Sequence, residues 1–254
     1  MDILVCVKRV PATGAKIVLT EDGQAIDTRN LGFAVSPHEE CAVEEAVRLT
    51  EKHGGDATVL TLGEEASIEQ LREALSMGIN DAILLETDGR DWQPISTANA
   101  IIDAIKVQQA AGKNFDLLLF GNESADSGGY QIGIRVAYAF DLPIVTGVKS
   151  IEIEGDKAVA KREAGSGWEV FEVDLPAVIT VKEGINLPRY PSLPGRMRAK
   201  KKPIERIEPN QSEGGLEKIQ LHVPQEEVTS AQILGDGPAA APKVVQILKE
   251  LGLV

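Results

Sequence analysis

Aromatic residues make up only 4% of this 254-residue chain, so its core must be filled with Val, Ile, Leu and Ala. Such a filling suits a parallel sheet covered by helices on both faces. There are only two cysteines, Cys6 and Cys41, without Cys-x-x-Cys spacing. Both fall in apolar stretches and read as buried thiols, which excludes a disulfide scaffold and a thiolate metal site. The three histidines, His38, His53 and His222, are scattered without metal-ligand spacing. No run approaches the roughly 20 apolar residues of a membrane span. Positive charge is in deficit, with a net charge of -13, which argues against general nucleic-acid binding. The start, Met1-Asp2-Ile3-Leu4-Val5, lacks the basic flank and long apolar region of a signal peptide, and a cytoplasmic or equivalent reducing location is expected.

What is present begins with alternation. Ile3 to Val7 reads as a buried strand. Ser36-Pro37-His38-Glu39 opens a helix, with Ser36 as N-cap, Pro37 in the first turn and Glu39 completing a capping box. Ala57 to Leu62 is a strand ended by Gly63. A second capping box, Ser67 with Gln70, starts a helix that ends at Gly78. Ala82 to Leu85 is a strand, Ser96 to Ala111 a helix, Phe115 to Phe120 the most apolar strand, and about Gly129 to Phe140 a helix. Repeated strand–helix order implies an α/β fold with a doubly wound, mostly parallel sheet and right-handed crossovers.

Beyond Pro143 the pattern changes. Val148 to Ile153 and Lys157 to Arg162 flank Glu154-Gly155-Asp156, a β-hairpin addition. Trp168 to Val173 alternates as a half-exposed strand, and Ala177 to Val181 is another apolar strand. From Ile185 to about Pro238 no long helical period appears, which suggests an extended C-terminal arm. It ends in an amphipathic helix, Ala241 to Leu251, whose Val244, Val245, Ile247 and Leu248 need another surface to cover them. The expected organisation is 1–184 as an α/β domain, 185–204 as a loop and 205–254 as arm and helix.

Two segments can carry function. Gly121-Asn122-Glu123-Ser124-Ala125-Asp126-Ser127-Gly128-Gly129-Tyr130-Gln131 follows the carboxyl end of the most apolar strand and leads into a helix, where open α/β sheets bind ligands. Small residues let backbone N–H groups approach a phosphate beside a helix N-terminus. Neither a Walker A lysine nor Gly-x-Gly-x-x-Gly is present, and an ordinary connecting loop is the bland alternative. The other segment lies between Glu183 and Glu205. It has no acidic residue but six basic ones, Arg189, Arg196, Arg198, Lys200, Lys201 and Lys202, around Tyr190, Leu193 and Met197. An apolar tip in a basic surround suits protein docking, where anchors bind and charges steer, against the plainer reading of a solvated basic loop. No catalytic triad, carboxylate pair or reactive Cys–His arrangement emerges.

Together these segments resemble the beta subunit of electron transfer flavoproteins over nearly the whole chain. Val5-Cys6-Val7-Lys8-Arg9-Val10-Pro11 looks like the family's first strand and turn. Ala42-Val43-Glu44-Glu45-Ala46-Val47 and Ala74-Leu75-Ser76-Met77-Gly78 are similar to its first two helices. The most specific part is Leu175-Pro176-Ala177-Val178-Ile179-Thr180-Val181 followed by Pro188-Arg189-Tyr190 to Lys202.

The resemblance implies a Rossmann-like, adenine-nucleotide-binding fold that holds AMP structurally. Its contacts would fall at Cys6, at Ser36, Pro37, His38 and Glu39, at Leu62, and from Gly121 through Ile132. It also implies a heterodimer with an alpha subunit that carries most of the FAD site. The chain itself would be an electron carrier subunit rather than an enzyme, serving acyl-CoA and related dehydrogenases and a quinone oxidoreductase. The segment around Leu193 resembles the loop that docks those dehydrogenases, with Tyr190, Arg196 and Met197 beside the anchor. Glu163 falls where the family pairs a glutamate with a basic residue of the alpha subunit. Ser36-Pro37-His38 stands where many members have Asn-Pro-aromatic, and residues 122–129 are not the acidic version of that loop. Some relatives hold a second FAD instead of AMP and bifurcate electrons. A stand-alone adenine-nucleotide binder of the stress type, and an adenylating enzyme of similar fold, are the other readings; the latter needs a Ser-Gly-Gly-rich motif, and none follows Val7.

Overall fold

All five residues of β1 (Ile3–Val7) are buried, so the strand shows no apolar–polar alternation, as expected where helices cover both faces of a sheet. The computed structural model describes residues 1–212, 215–216, 218–224 and 231–254. Positions 213, 214, 217 and 225–230 of the expected arm therefore lie outside the described residues. After β1, β2 (Arg9–Pro11) and β3 (Phe33–Val35) pair antiparallel as a small ribbon absent from the sequence expectation. Then come α1 (Pro37–His53), β4 (Ala57–Gly63), α2 (Ile68–Met77), β5 (Asp81–Glu86), α3 (Pro94–Ala110), β6 (Leu117–Gly121) and α4 (Ile132–Ala139). The remainder is β7 (Ile144–Glu154), β8 (Lys157–Ala164), β9 (Gly167–Asp174), β10 (Ala177–Val181), α5 (Leu193–Lys201), β11 (Glu205–Ile207) and α6 (Ala241–Glu250).

Nine strands form one sheet in the order β11-β5-β4-β1-β6-β10-β7-β8-β9. All neighbours from β11 to β7 are parallel, and only β7–β8 and β8–β9 are antiparallel. The expected doubly wound, mostly parallel sheet with a hairpin addition is present. Ile3, Val5 and Val7 face a core shared with α1 and α2, whereas Leu4 and Cys6 face a second core shared with α3 and α4. Each Val, Leu or Ile so buried contributes roughly 1.5–3 kcal/mol.

Several boundaries differ from expectation. Ser67 lies in a 3-10 turn, Glu65–Ser67, in helical backbone conformation, and its side chain makes no cap bond. The third helix begins at Pro94, because a proline fits the first turn, and Ser96 lies inside it. The fourth starts at Ile132 instead of Gly129, since Gly128 and Tyr130 both hold φ 54, outside the helical region. β7 is longer than its half of the predicted hairpin. Its first residues pair parallel with β10 before the strand turns antiparallel to β8.

The largest difference lies after Ile185. The segment expected to be a loop is helical over Leu193–Lys201, and Glu205–Ile207, expected in the arm, adds a parallel edge strand beside β5. Helix α5 buries only Gly195 and Ala199, so it carries no apolar stripe for periodicity to reveal. The final helix matches expectation and buries none of its residues.

Candidate functional site

From β1 the chain winds through α1 to β4 and β5 on one side, then returns through α3 to β6 on the other. The winding reverses between β1 and β6, and open α/β sheets usually bind ligands beyond the carboxyl ends of the strands at such a crevice. Cys6 pairs in register with Leu60 and Phe120 across this point. The α1 start at Ser36–Glu39, the β6 end at Gly121 and the loop 122–131 meet there, and Leu62 lies near the end of β4 at the same sheet edge.

Glu39 is the pivot. It is buried, and its Oε2 accepts the backbone N–H of Lys8 at 3.0 Å and that of Ser36 at 3.4 Å, tying β1 to the head of α1. Burial pushes its carboxyl up to about 7, against the pull of those donors. The same burial, with the Glu39 charge beside it, pushes the Cys6 thiol far up, so Cys6 acts as a small apolar side chain. Gly121 is required at this position. A Cβ on it would lie 2.5 Å from Glu39 Cγ.

The loop after Gly121 is fastened at both ends. Asn122 N–H donates to Val181 O at 2.8 Å, and Thr180 Oγ1–H donates to Asn122 Oδ1 at 2.9 Å while accepting the Gly147 N–H at 3.0 Å. Lys8 Nζ lies 2.5 Å from Asp126 Oδ2. Burial works to raise Asp126, but the hydrogen bond and charge of Lys8 prevail and hold it below the usual carboxylate range. His38 Nδ1 accepts the Glu183 N–H at 2.7 Å, so the neutral ring carries its proton on Nε2 and presents it to Glu123 Oε1 at 3.3 Å. Ser124 and Ser127 share a hydroxyl contact of 3.0 Å, and Ser127 N–H caps onto Asp126 Oδ1 at 2.7 Å.

This arrangement can accept the phosphate of a nucleotide. The Ser36 hydroxyl is buried without a hydrogen-bond partner, Lys8 offsets Asp126, and the open first turn of α4 follows a run of small residues. Helix N–H groups of that kind accept a phosphate. Lys8 and Thr180 escape the sequence reading. The signal for Lys8 is its place directly after a buried strand at the switch point, and for Thr180 a hydroxyl near the end of an otherwise apolar strand.

A family model described as the electron transfer flavoprotein domain matches residues 25–212. The electron transfer flavoprotein subunit beta of Bacillus subtilis (strain 168) is 35% identical over 258 residues, covering 98% of each chain. That of Syntrophomonas wolfei is 35% identical over 250 residues, covering 98% of this chain and 96% of the relative. The subunit beta of Mycobacterium bovis is 37% identical over 209 residues, 80% of this chain and 77% of the relative. The chain belongs to the electron transfer flavoprotein beta-subunit family.

The other predicted residues of this family member lie away from the crevice. Leu193 opens α5 behind the Ser192 cap, whose Oγ accepts the Gly195 N–H at 3.1 Å. Tyr190, Leu193 and Met197 are all exposed, and Arg196 is exposed beside them. The helix is pinned to α2 by Arg72, which donates to the carbonyls of Ala199 and Lys202. Lys202 Nζ in turn donates to Ile79 O at 2.9 Å and Asn80 O at 2.8 Å. Glu163 belongs to neither region. It stands on β8, towards the other edge of the sheet, opposite Trp168 and 2.9 Å from Lys149 Nζ. No helix among the described residues is long and apolar enough to cross a membrane.

Proposed function

We propose that this chain is one half of a heterodimeric electron carrier. It holds AMP at the β1/β6 crevice and joins a larger alpha subunit that carries most of the FAD site. It docks acyl-CoA and related dehydrogenases through Leu193, so that their electrons reach the flavin and pass to a quinone-reducing acceptor. The residues named for the nucleotide are Cys6, Ser36–Glu39, Leu62 and Gly121–Ile132, with Lys8 added. The bound AMP acts as an internal scaffold: at about 100 times its dissociation constant a ligand adds roughly 2.7 kcal/mol of stability. FAD supplies the redox chemistry when bound. The chain's own residues position, steer and release.

The observation that carries this reading is the pairing, in a flavoprotein-family chain, of a polar cluster at the β1/β6 switch point with a separate exposed tip. Leu193 is 73% exposed within a positively charged segment that carries no acidic residue between Glu183 and Glu205. A small apolar anchor with steering charges allows fast exchange, as carriers need, and such encounters bury less than about 1,200 Å². Two further surfaces fit an alpha subunit, namely α6, with no buried residue, and the β9 edge bearing Trp168 and Val170. Glu163 is offered as the residue that pairs with a basic group of that subunit, a role for which it would exchange its ion pair with Lys149.

Expressing the chain with and without a neighbouring larger flavoprotein subunit tests the proposal. A yellow one-to-one heterodimer is the expected product. A colourless homodimer that binds adenylate alone would instead favour the stand-alone nucleotide binder.

A further inference from the structure

The stretch Glu183–Arg189 is strapped along one stripe of α1. At the crevice end, Glu183 N–H donates to His38 Nδ1 at 2.7 Å. One turn on, Asn186 Nδ2 donates to Cys41 O at 3.0 Å and to Glu45 Oε2 at 2.9 Å. At the far end Arg189 is clamped twice. Its backbone N–H and guanidinium both reach Glu44, with Nε 2.9 Å from Oε2 and Nη2 3.0 Å from Oε1. The other edge of the guanidinium meets Glu51, at 2.7 Å to Oε1 and 3.0 Å to Oε2. His38, Cys41, Glu44, Glu45 and Glu51 recur at the three-, four- and seven-residue spacing of one helix face.

Apart from Ile185, which packs partly against the core beneath α1, little apolar contact fixes this strap. Leu187 and Tyr190 are exposed, and α5 buries only Gly195 and Ala199. A cavity of about 420 Å³ opens beneath Arg189–Ser192, against Leu75–Gly78, so the approach to α5 is loosely packed until Gly195 meets the Ser76 carbonyl of α2. The clamp is not an ordinary surface pair, because the Glu44 side chain is only 6% exposed and would be left as a buried lone charge without Arg189. Glu51, by contrast, is exposed, and its hydrogen bond from Arg189 holds its carboxyl below the usual range.

We propose that Arg189, gripped by Glu44 and Glu51, is a positioning residue for the docking helix α5, setting the pose in which Leu193 is presented. The inference rests on the reading of Leu193 as the docking anchor. Arginine is required because its planar fork reaches two carboxylates at once, which a lysine ammonium cannot do in the same geometry.

The test uses the assembled flavin-containing heterodimer with an acyl-CoA dehydrogenase as electron donor. Arg189→Gln raises the KM for the carrier by about ten-fold, with kcat changed by less than about two-fold, Arg189→Lys falls between, and Glu51→Gln raises KM about two- to three-fold. Flavin content and reduction by dithionite stay at the parent level. Because Arg189 acts through the pose of Leu193, the Leu193→Ala, Arg189→Gln double variant is no worse than Leu193→Ala alone. An unchanged KM in Arg189→Gln, or fully additive effects in the double variant, overturns the inference. If Leu193→Ala itself leaves KM unchanged, the docking reading falls, and tryptic cleavage within α5 decides the clamp on its own. Faster cutting after Arg196 and Arg198 in Arg189→Gln supports the clamp, and a parental rate removes it. Glu51→Gln, at an exposed carboxylate, keeps the test open should the Arg189 variants fail to fold.

Discussion

The strands around the crevice and the elements at the periphery are built on different physics. β1, β4, β6 and β10 are buried strands whose stability comes from apolar area removed from water on both sides. The strap, α5 and α6 bury little among the described residues, and the strap and α5 are held largely by directed polar contacts. The first region is a rigid frame. The second keeps apolar side chains in water, as a surface awaiting partners does. Buried and exposed apolar surface are thus separated in space.

Mutation can break that contrast or sharpen it. The largest effect is expected at Leu119, which has no exposure in β6. Leu119→Ala costs about 2–5 kcal/mol in urea unfolding. Val245→Ala on α6 of the isolated chain stays within about 0.5 kcal/mol. Equal costs would mean that α6 packs on this chain, and the contrast would be lost.

Next comes pH. The folded Glu39 carboxyl sits near about 7 against an ordinary 4.5, so the native state keeps a proton that the unfolded chain gives up. The stabilisation is full below about pH 4.5, is lost as pH rises towards 7 and is level above, amounting to roughly 3 kcal/mol. Glu39→Gln removes that slope. An identical pH profile in the variant would show that Glu39 titrates normally.

A third change is smaller. Gly121→Val forces a side chain into Glu39 and costs about 1–3 kcal/mol, with loss of bound nucleotide on extraction. Nucleotide retained at the parental ratio would place the ligand elsewhere. Least of all, Leu193→Ala leaves the unfolding midpoint within about 0.5 kcal/mol of the parent while slowing electron acceptance from dehydrogenases. A clear loss of stability there would make Leu193 structural instead.

Those scales also explain what is legible in the sequence. Uninterrupted apolar runs such as Leu117–Phe120 and Ala177–Val181 announce strands buried on both faces, and the Ser36-Pro37-x-Glu39 pattern announces a helix start. From them the switch point and the Gly121 loop follow. Helix α5 is invisible to periodicity because it has no apolar face, although Ser192 and Pro194 are start signals in plain view. The three-residue β2, β3 and β11 are too short to show alternation. The contacts of Arg189 with Glu44 and Glu51, and of Lys8 with Asp126, join residues more than a hundred positions apart. Pairings of that kind leave no periodic trace in a single chain and emerge only once the sheet order brings the elements together.

The most direct test of the account is the nucleotide content of the purified complex, extracted from the chain co-expressed with its larger partner and quantified against protein. One AMP and one FAD per heterodimer is the expected result. A monomer without adenylate, indifferent to any flavin-bearing partner, would contradict it, and two FAD with no AMP would contradict the structural role proposed for AMP.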